Sequence, residues 1–276
     1  MGHLPYVRTL VAATCTSIMW IPSGLTAQEA APDSPPVIQI GIETVRAGRG
    51  AQHTELEERW AATFREAKVP VYWLGTTAVT GANEFWWFTP LSSVAELEAQ
   101  DKAVAGAPGL SSASDLLSKA DGENVESNRT LLARYRGELS RPGGVPVPTA
   151  RYFQVLMFRV RPGHNADFET AAKLYNTVVT EASGSGHWVT YEIISGMPGP
   201  TFLVFTAMKS LSEMDPGPDM EALAKAMTPA RQKQFNDLSA AGIISTTSLV
   251  FQFQPRMSNL PPEVTAMDPT FWNVHP

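Results

Sequence analysis

The amino-acid sequence predicts an α+β protein built as two tandem βαββαβ halves whose sheets face one another. Three observations predict it. Much of one half is written again in the other, the same helix-start signal recurs in both copies, and strands that should have one wet face are apolar on both.

The repeat is direct. Residues 152–175, YFQVLMFRVRPGHNADFETAAKLY, lie over residues 37–60, VIQIGIETVRAGRGAQHTELEERW, at a spacing of 115 (152 minus 37). Gln39 then stands over Gln154, Val45 over Val160, Arg46 over Arg161, Gly48 over Gly163 and Ala51 over Ala166. At the same spacing YWLGTTAVTG (72–81) lies over HWVTYEIISG (187–196), with Trp73 over Trp188 and Gly81 over Gly196. Two added residues make the spacing 117, and WFTPLSSVAELE (87–98) lies over VFTAMKSLSEMD (204–215). Ser93 with Glu96, and Ser210 with Glu213, each read as a capping box.

The elements follow in order. Residues 1–27 carry a lone Arg8, an apolar run over 10–21, a Pro22/Gly24 break and a small Ala27. That is the pattern of a secretory signal peptide cut near Ala27, and the run is too short for a membrane span of roughly 20 residues. The implied location is exported, periplasmic or extracellular. Residues 28–36 read as a disordered or extended N-terminal segment. Half 1, residues 37–136, reads as an alternating strand over 37–45, a helix over about 51–68, strands over 71–79 and 85–89, a helical stretch after the cap, and a closing strand near 128–136. The Pro/Gly-rich linker GELSRPGGVPVPTA, residues 137–150, follows. Half 2, residues 151–254, repeats the order with a helix over about 166–182, strands over 187–195 and 202–206, a helix restarting at Thr228 with Pro229, and a strand near 249–254. The proline-rich tail, 255–276, carries Phe271 and Trp272 and is expected to pack on the body. Each half is the ferredoxin-like unit.

Charge and cysteine use exclude several classes. The 276-residue chain has a net charge of -6, and losing residues 1–27 with Arg8 makes it -7, so no nucleic-acid partner or anionic membrane surface is indicated. The only cysteine, Cys15, lies in the leader, so the remaining chain has no disulfide, thiolate nucleophile or thiolate metal site.

The faces decide where a site could lie. Ile38, Ile40 and Ile42 alternate with Gln39, Gly41 and Glu43, and the polar set is expected to face the other sheet. Residues 85–88 (FWWF) and 202–205 (FLVF) are apolar on both faces, so both sheet faces must be covered, most simply by the other half's sheet.

Two such units with facing sheets resemble the dimeric α+β barrel superfamily, with its antibiotic-biosynthesis-monooxygenase-like, NIPSNAP-like and chlorite-dismutase-like members. The strand, RPGH turn and helix with early Phe168 are similar to that superfamily's first strand and helix. The ending PPE followed by DPTFW is similar to a group of exported bacterial proteins with this tandem layout and no assigned activity. The resemblance implies a small ligand or haem between the sheets, or simple oligomerisation, with the inter-sheet face usually completed by a second subunit. Here the attached second copy implies a monomer whose halves pair within one chain, and a further oligomer stays open.

Candidate site residues follow from the expected inner face. Gln39 and Gln154 would place two amides there, satisfied by each other or by water. Glu43 would need Arg134 or Arg136 as a counter-charge. Residues 187–192, HWVTYE, form the densest chemical stretch. His187 with Tyr191 would give a proton-transfer pair, and Trp188 with Glu192, or Trp73 in the other half, a stacking wall with one acid. His53 occupies the place of Phe168, a packed or rim position. No H-x-x-x-H, H-E-x-x-H or paired-carboxylate spacing occurs, so no metal is expected, and no cofactor is called; haem would have His187 as its sole candidate ligand. Two functions stay open. One is a small-molecule-binding protein taking an apolar or aromatic ligand in an inter-sheet pocket, in enzymatic form a cofactor-free oxygenase or isomerase. The other is a non-enzymatic interaction protein whose barrel is filled by Trp and Phe.

Overall fold

The structure, a computed structural model, describes residues 34–273 apart from residues 185 and 218. The expected leader and its cleavage site lie outside the described residues. Among those described, no helix is long and apolar enough to cross a membrane.

Half 1 runs β1 (Val37–Val45), α1 (Gly50–Ala67), β2 (Leu74–Ala78), β3 (Glu84–Leu91), α2 (Glu96–Gly106), α3 (Leu110–Asp121) and β4 (Val125–Tyr135). Half 2 runs β5 (Tyr152–Val160), α4 (Asn165–Glu181), β6 (Val189–Ser195), β7 (Thr201–Met208), α5 (Met220–Ala226), α6 (Pro229–Gly242) and β8 (Ile243–Phe253). Between the halves, residues Gly137–Leu139 and Val147–Thr149 form single 3-10 turns, and the tail holds two one-turn helices, α7 (Pro262–Thr265) and α8 (Pro269–Trp272).

The eight strands close one barrel in the order β1-β3-β2-β8-β5-β7-β6-β4. Each half contributes four antiparallel strands, and two inter-half seams close the ring. At one, Thr76, Thr77 and Ala78 of β2 oppose Phe253, Gln252 and Phe251 of β8; at the other, Arg134 and Tyr135 of β4 oppose Glu192 and Tyr191 of β6. The chain just after each closing strand then runs onto the other half. Asn259 bridges Trp73 and Arg141 bridges Trp188, while the two indoles donate to the Met257 and Leu139 carbonyls, each at 2.9 Å. Thus the halves pair within one chain, as the duplication predicts.

The helix starts show how local signals fare. Ser210 and Glu213 form the expected capping box at a 3-10 turn, Leu211–Met214. Its counterpart at Ser93 does not form. Glu96 instead accepts from the backbone and hydroxyl of Ser92, at 2.7 and 2.6 Å. In the tail, Trp272 is 6 % exposed and donates to the Pro148 carbonyl, and the Arg151 guanidinium lies 3.8 Å from the centre of the Phe271 ring.

The expected orientation of β1 is reversed. Ile38, Ile40 and Ile42 point into the barrel with Trp86, Leu131, Val155, Leu203 and Phe251, and Gln39, Gly41 and Glu43 lie on the outer face beneath the helices. The reason is volume. A closed eight-stranded barrel must be filled from its own strands, so the bulky set goes inside, and the amphipathic helices tolerate a mixed face. Phe153 is the hub of that filling, with ring centroids 5.3 Å from Phe88, 5.2 Å from Phe251, 5.5 Å from Phe205 and 5.8 Å from Phe253.

Candidate functional site

The residues expected to share an inter-sheet pocket are dispersed. Gln39 and Gln154 are half-buried on the outer faces of their strands, and Gln154 donates to the Ser248 hydroxyl rather than to Gln39. Arg134 is exposed and does not meet Glu43. Arg136 instead binds Glu138, Glu169 and Glu192, tying the end of β4 to half 2. His187 precedes β6, outside the barrel, where it meets the Pro142 carbonyl and packs on Gly143 and Gly144. Tyr191 points inward and donates to the Pro35 carbonyl, and burial and nearby Tyr135 push its hydroxyl above the usual range. His187 and Tyr191 therefore form no proton-transfer pair. Trp73 and Trp188 serve the seams described above.

The interior does not fit a haem. Aromatic rings occupy it, and His187, the one candidate ligand, lies outside it against the linker. The expected inter-sheet pocket is likewise replaced by packed side chains, the feature that the interaction-protein reading predicts.

The outer side of β1 holds a group of residues that sequence spacing does not reveal. Helix α1 lays one stripe on the sheet, His53, Glu57, Ala61 and Phe64, at intervals of four, four and three. The first two members of this stripe are polar. Helix α3 brings its last residue, Asp121, to the same place, and β1 presents Glu43 from below. His53 is 0 % exposed and its Nδ1 lies 2.8 Å from Asp121 Oδ2; Asp121 also accepts from the Asn124 amide. His53 Nε2 faces Glu43 Oε2 at 3.9 Å, too far for a hydrogen bond, and among the described residues neither atom has a hydrogen-bond partner. Phe85 and Trp87 wall the imidazole edge-on, with centroids at 4.3 and 5.8 Å.

Electrostatics mark this group as strained in charge. Burial, then Glu43 and Asp121, push the Glu57 carboxyl up to about 8. Burial raises Glu43 as well, His53 pulls it down and Asp121 adds to the rise. Sequence spacing shows no metal-ligand pattern, whereas the fold brings four groups of the ligand type together. One ligand atom of each of Glu43, His53, Glu57 and Asp121 lies within 4.8 Å of the other three. The signal that could have found it is a His and a Glu four apart on the buried stripe of α1, where half 2 has Phe168 and Ala172.

A second feature is a groove of about 330 Å³ outside the barrel, between the end of α1 and the tail. Phe64, Val69, Leu260 and Trp272 supply apolar walls, and Arg65 and Lys68 supply two cations. Among the described residues neither cation forms an ion pair, although Arg65 donates to the Ser258 carbonyl at 2.7 Å.

No family model matches this chain, and no curated protein matches it. Solved structures do. A protein described as anthrone oxidase-like is 14 % identical, with 79 % of this chain and 91 % of that one covered and a TM-score of 0.51. A candidate monooxygenase from Lactobacillus acidophilus is 12 % identical over 80 % of this chain and 94 % of that one, at a TM-score of 0.47. A mutant chlorite dismutase from Candidatus Nitrospira defluvii is 10 % identical over 85 % and 95 %, at 0.48. At such identities the likeness is one of fold. Together with the closed eight-stranded ring, it shows that the chain folds as a dimeric α+β barrel whose two ferredoxin-like halves are covalently joined.

Proposed function

We infer that this is an exported small-molecule-binding protein whose ligand sits in the groove between α1 and the tail, not between the sheets. The observation that carries the reading is the pairing of apolar walls with two cations that form no salt bridge among the described residues, on a chain whose net charge is -6. Its volume falls in the range of small-ligand sites, roughly 300 to 1,000 Å³. Such a groove favours an aromatic or aliphatic group carrying one negative charge, the ring against Phe64 and Trp272 and the anion toward Arg65 and Lys68.

The test is calorimetric titration with 1-naphthoate. Saturable binding that weakens about tenfold in Lys68→Gln and in Arg65→Gln supports the reading. Binding that ignores both substitutions, or none at millimolar concentration, overturns it. The second reading, a non-enzymatic interaction protein, draws on the filled barrel interior. An oxygenase activity in the groove accords with the names of the fold neighbours and is checked by oxygen uptake with the same class of compound. Export is checked by the mass of the protein recovered outside the cytoplasm, expected to begin at Gln28. Retention of residues 1–27 would refute that part.

A further inference from the structure

The buried group between β1, α1 and α3 is independent of the groove. We propose that Glu43, His53 and Glu57 form a binding site for one divalent transition-metal ion, with Asp121 orienting the imidazole from its far side.

The geometry assigns the parts. Asp121 Oδ2 accepts the proton of His53 Nδ1 at 2.8 Å, which leaves the Nε2 lone pair free and directed at Glu43. A carboxylate behind a ligating histidine is the usual means of setting its tautomer and ring orientation. Two ligands on one ion at about 2.1 Å each stand no more than about 4.2 Å apart. The 3.9 Å between Nε2 and Glu43 Oε2 lies within that limit, and the orphaned state of both atoms is what a shared ion would relieve. His53 is fully buried, and a buried imidazole nitrogen without a partner needs a reason.

The duplication supplies an internal control. At the spacing of 115 that relates the halves, Glu43 corresponds to Phe158, His53 to Phe168 and Glu57 to Ala172. In half 2 these residues form an ordinary apolar cluster with Phe202, the Phe168 ring stacked on Phe202 at 4.3 Å. The fold is therefore content with phenylalanine here. Half 1 places a histidine and two carboxylates in the same slot, where one ligand atom of each lies within 4.8 Å of the others.

Donor chemistry narrows the ion. One imidazole nitrogen with carboxylate oxygens suits Zn²⁺, Mn²⁺ or Fe²⁺, whereas Ca²⁺ and Mg²⁺ prefer oxygen alone. Entry is along Glu43, whose side chain is 26 % exposed.

The experiment is a titration of chelator-treated full-length mature protein with ZnCl₂ by calorimetry, and with CoCl₂ by visible absorption. One equivalent is expected, with d–d bands typical of mixed nitrogen and oxygen ligands. Glu43→Gln and Glu57→Gln, each shown by circular dichroism to be folded, should bind at least tenfold more weakly. Asp121→Asn should lose 10- to 100-fold in affinity yet keep the Co²⁺ band pattern, which a merely structural role would not predict. His164→Ala, at a half-buried His–Asp pair on half 2, should change nothing. No saturable binding to the folded protein, or one-equivalent binding that survives the Glu43→Gln/Glu57→Gln double change, overturns the proposal.

Discussion

Phe153→Ala tests whether the barrel is full. The side chain is 5 % exposed and touches four other rings inside the strands. Removing the ring forfeits roughly 2 kcal/mol of transfer free energy. It also opens a cavity of roughly 100 Å³, which at about 24 cal/mol per Å³ adds about 2.4 kcal/mol. The sum, about 4 kcal/mol, agrees with the usual ~3–5 kcal/mol for such a truncation. For a chain of this length it lowers Tm by roughly 10 °C. Urea unfolding of both proteins, read by tryptophan fluorescence with equal m values, measures it. An apolar void of this kind stays dry and accepts benzene, so saturating benzene should raise the variant's Tm and leave the wild type unmoved. A loss below about 1 kcal/mol, or an equal benzene response from the wild type, would refute the filled interior and restore an inter-sheet pocket.

Gly196 has φ +99°, and a Cβ there would stand 2.2 Å from the Thr130 carbonyl oxygen, so Gly196→Ala should cost at least about 3 kcal/mol, while Gly50→Ala, with open space around it, should be near neutral in the same denaturation series. The Glu57 carboxyl is raised to about 8 in the folded protein, so the stability it contributes is present below its unfolded value and lost as pH rises through about 8. Metal-free wild type should therefore weaken between pH 5 and 8, by at most about 1.4 kcal/mol per pH unit for one proton, and Glu57→Gln should be flatter and more stable at pH 8; equal stability of the two at that pH would refute the assignment. Trp272→Ala removes a groove wall and the bond to Pro148, and should expose the tail to limited proteolysis and weaken 1-naphthoate binding; an unchanged cleavage rate would show that the indole does not hold the tail.

Much of the fold was legible because it rests on local, repeated signals. The strand–helix order of each half follows from alternation and helical stripes, and the glycines at 81 and 196 recur because both turns need positive φ. The Ser210 box formed as read, and the Ser93 box did not, since Ser92 offers the same hydroxyl one residue earlier and takes Glu96. The Pro/Gly linker and the doubly apolar strands were enough to infer that the two halves close on each other.

The sequence by itself determined the two faces of each strand, and only the tertiary structure decided which was inside. A period of two separates Ile38, Ile40 and Ile42 from Gln39, Gly41 and Glu43 without saying which set faces the barrel, and that choice depends on the volume the other seven strands leave to be filled. Reversing it moved Glu43 from a supposed pocket to the underside of α1. The group it joins spans residues 43 to 121, from three separate elements, and no local periodicity records such a meeting. What the chain did carry is the departure between copies, His53 against Phe168 and Glu57 against Ala172. Its meaning appears only once β1, α1 and α3 are packed together and the imidazole is left with a nitrogen that nothing among the described residues satisfies.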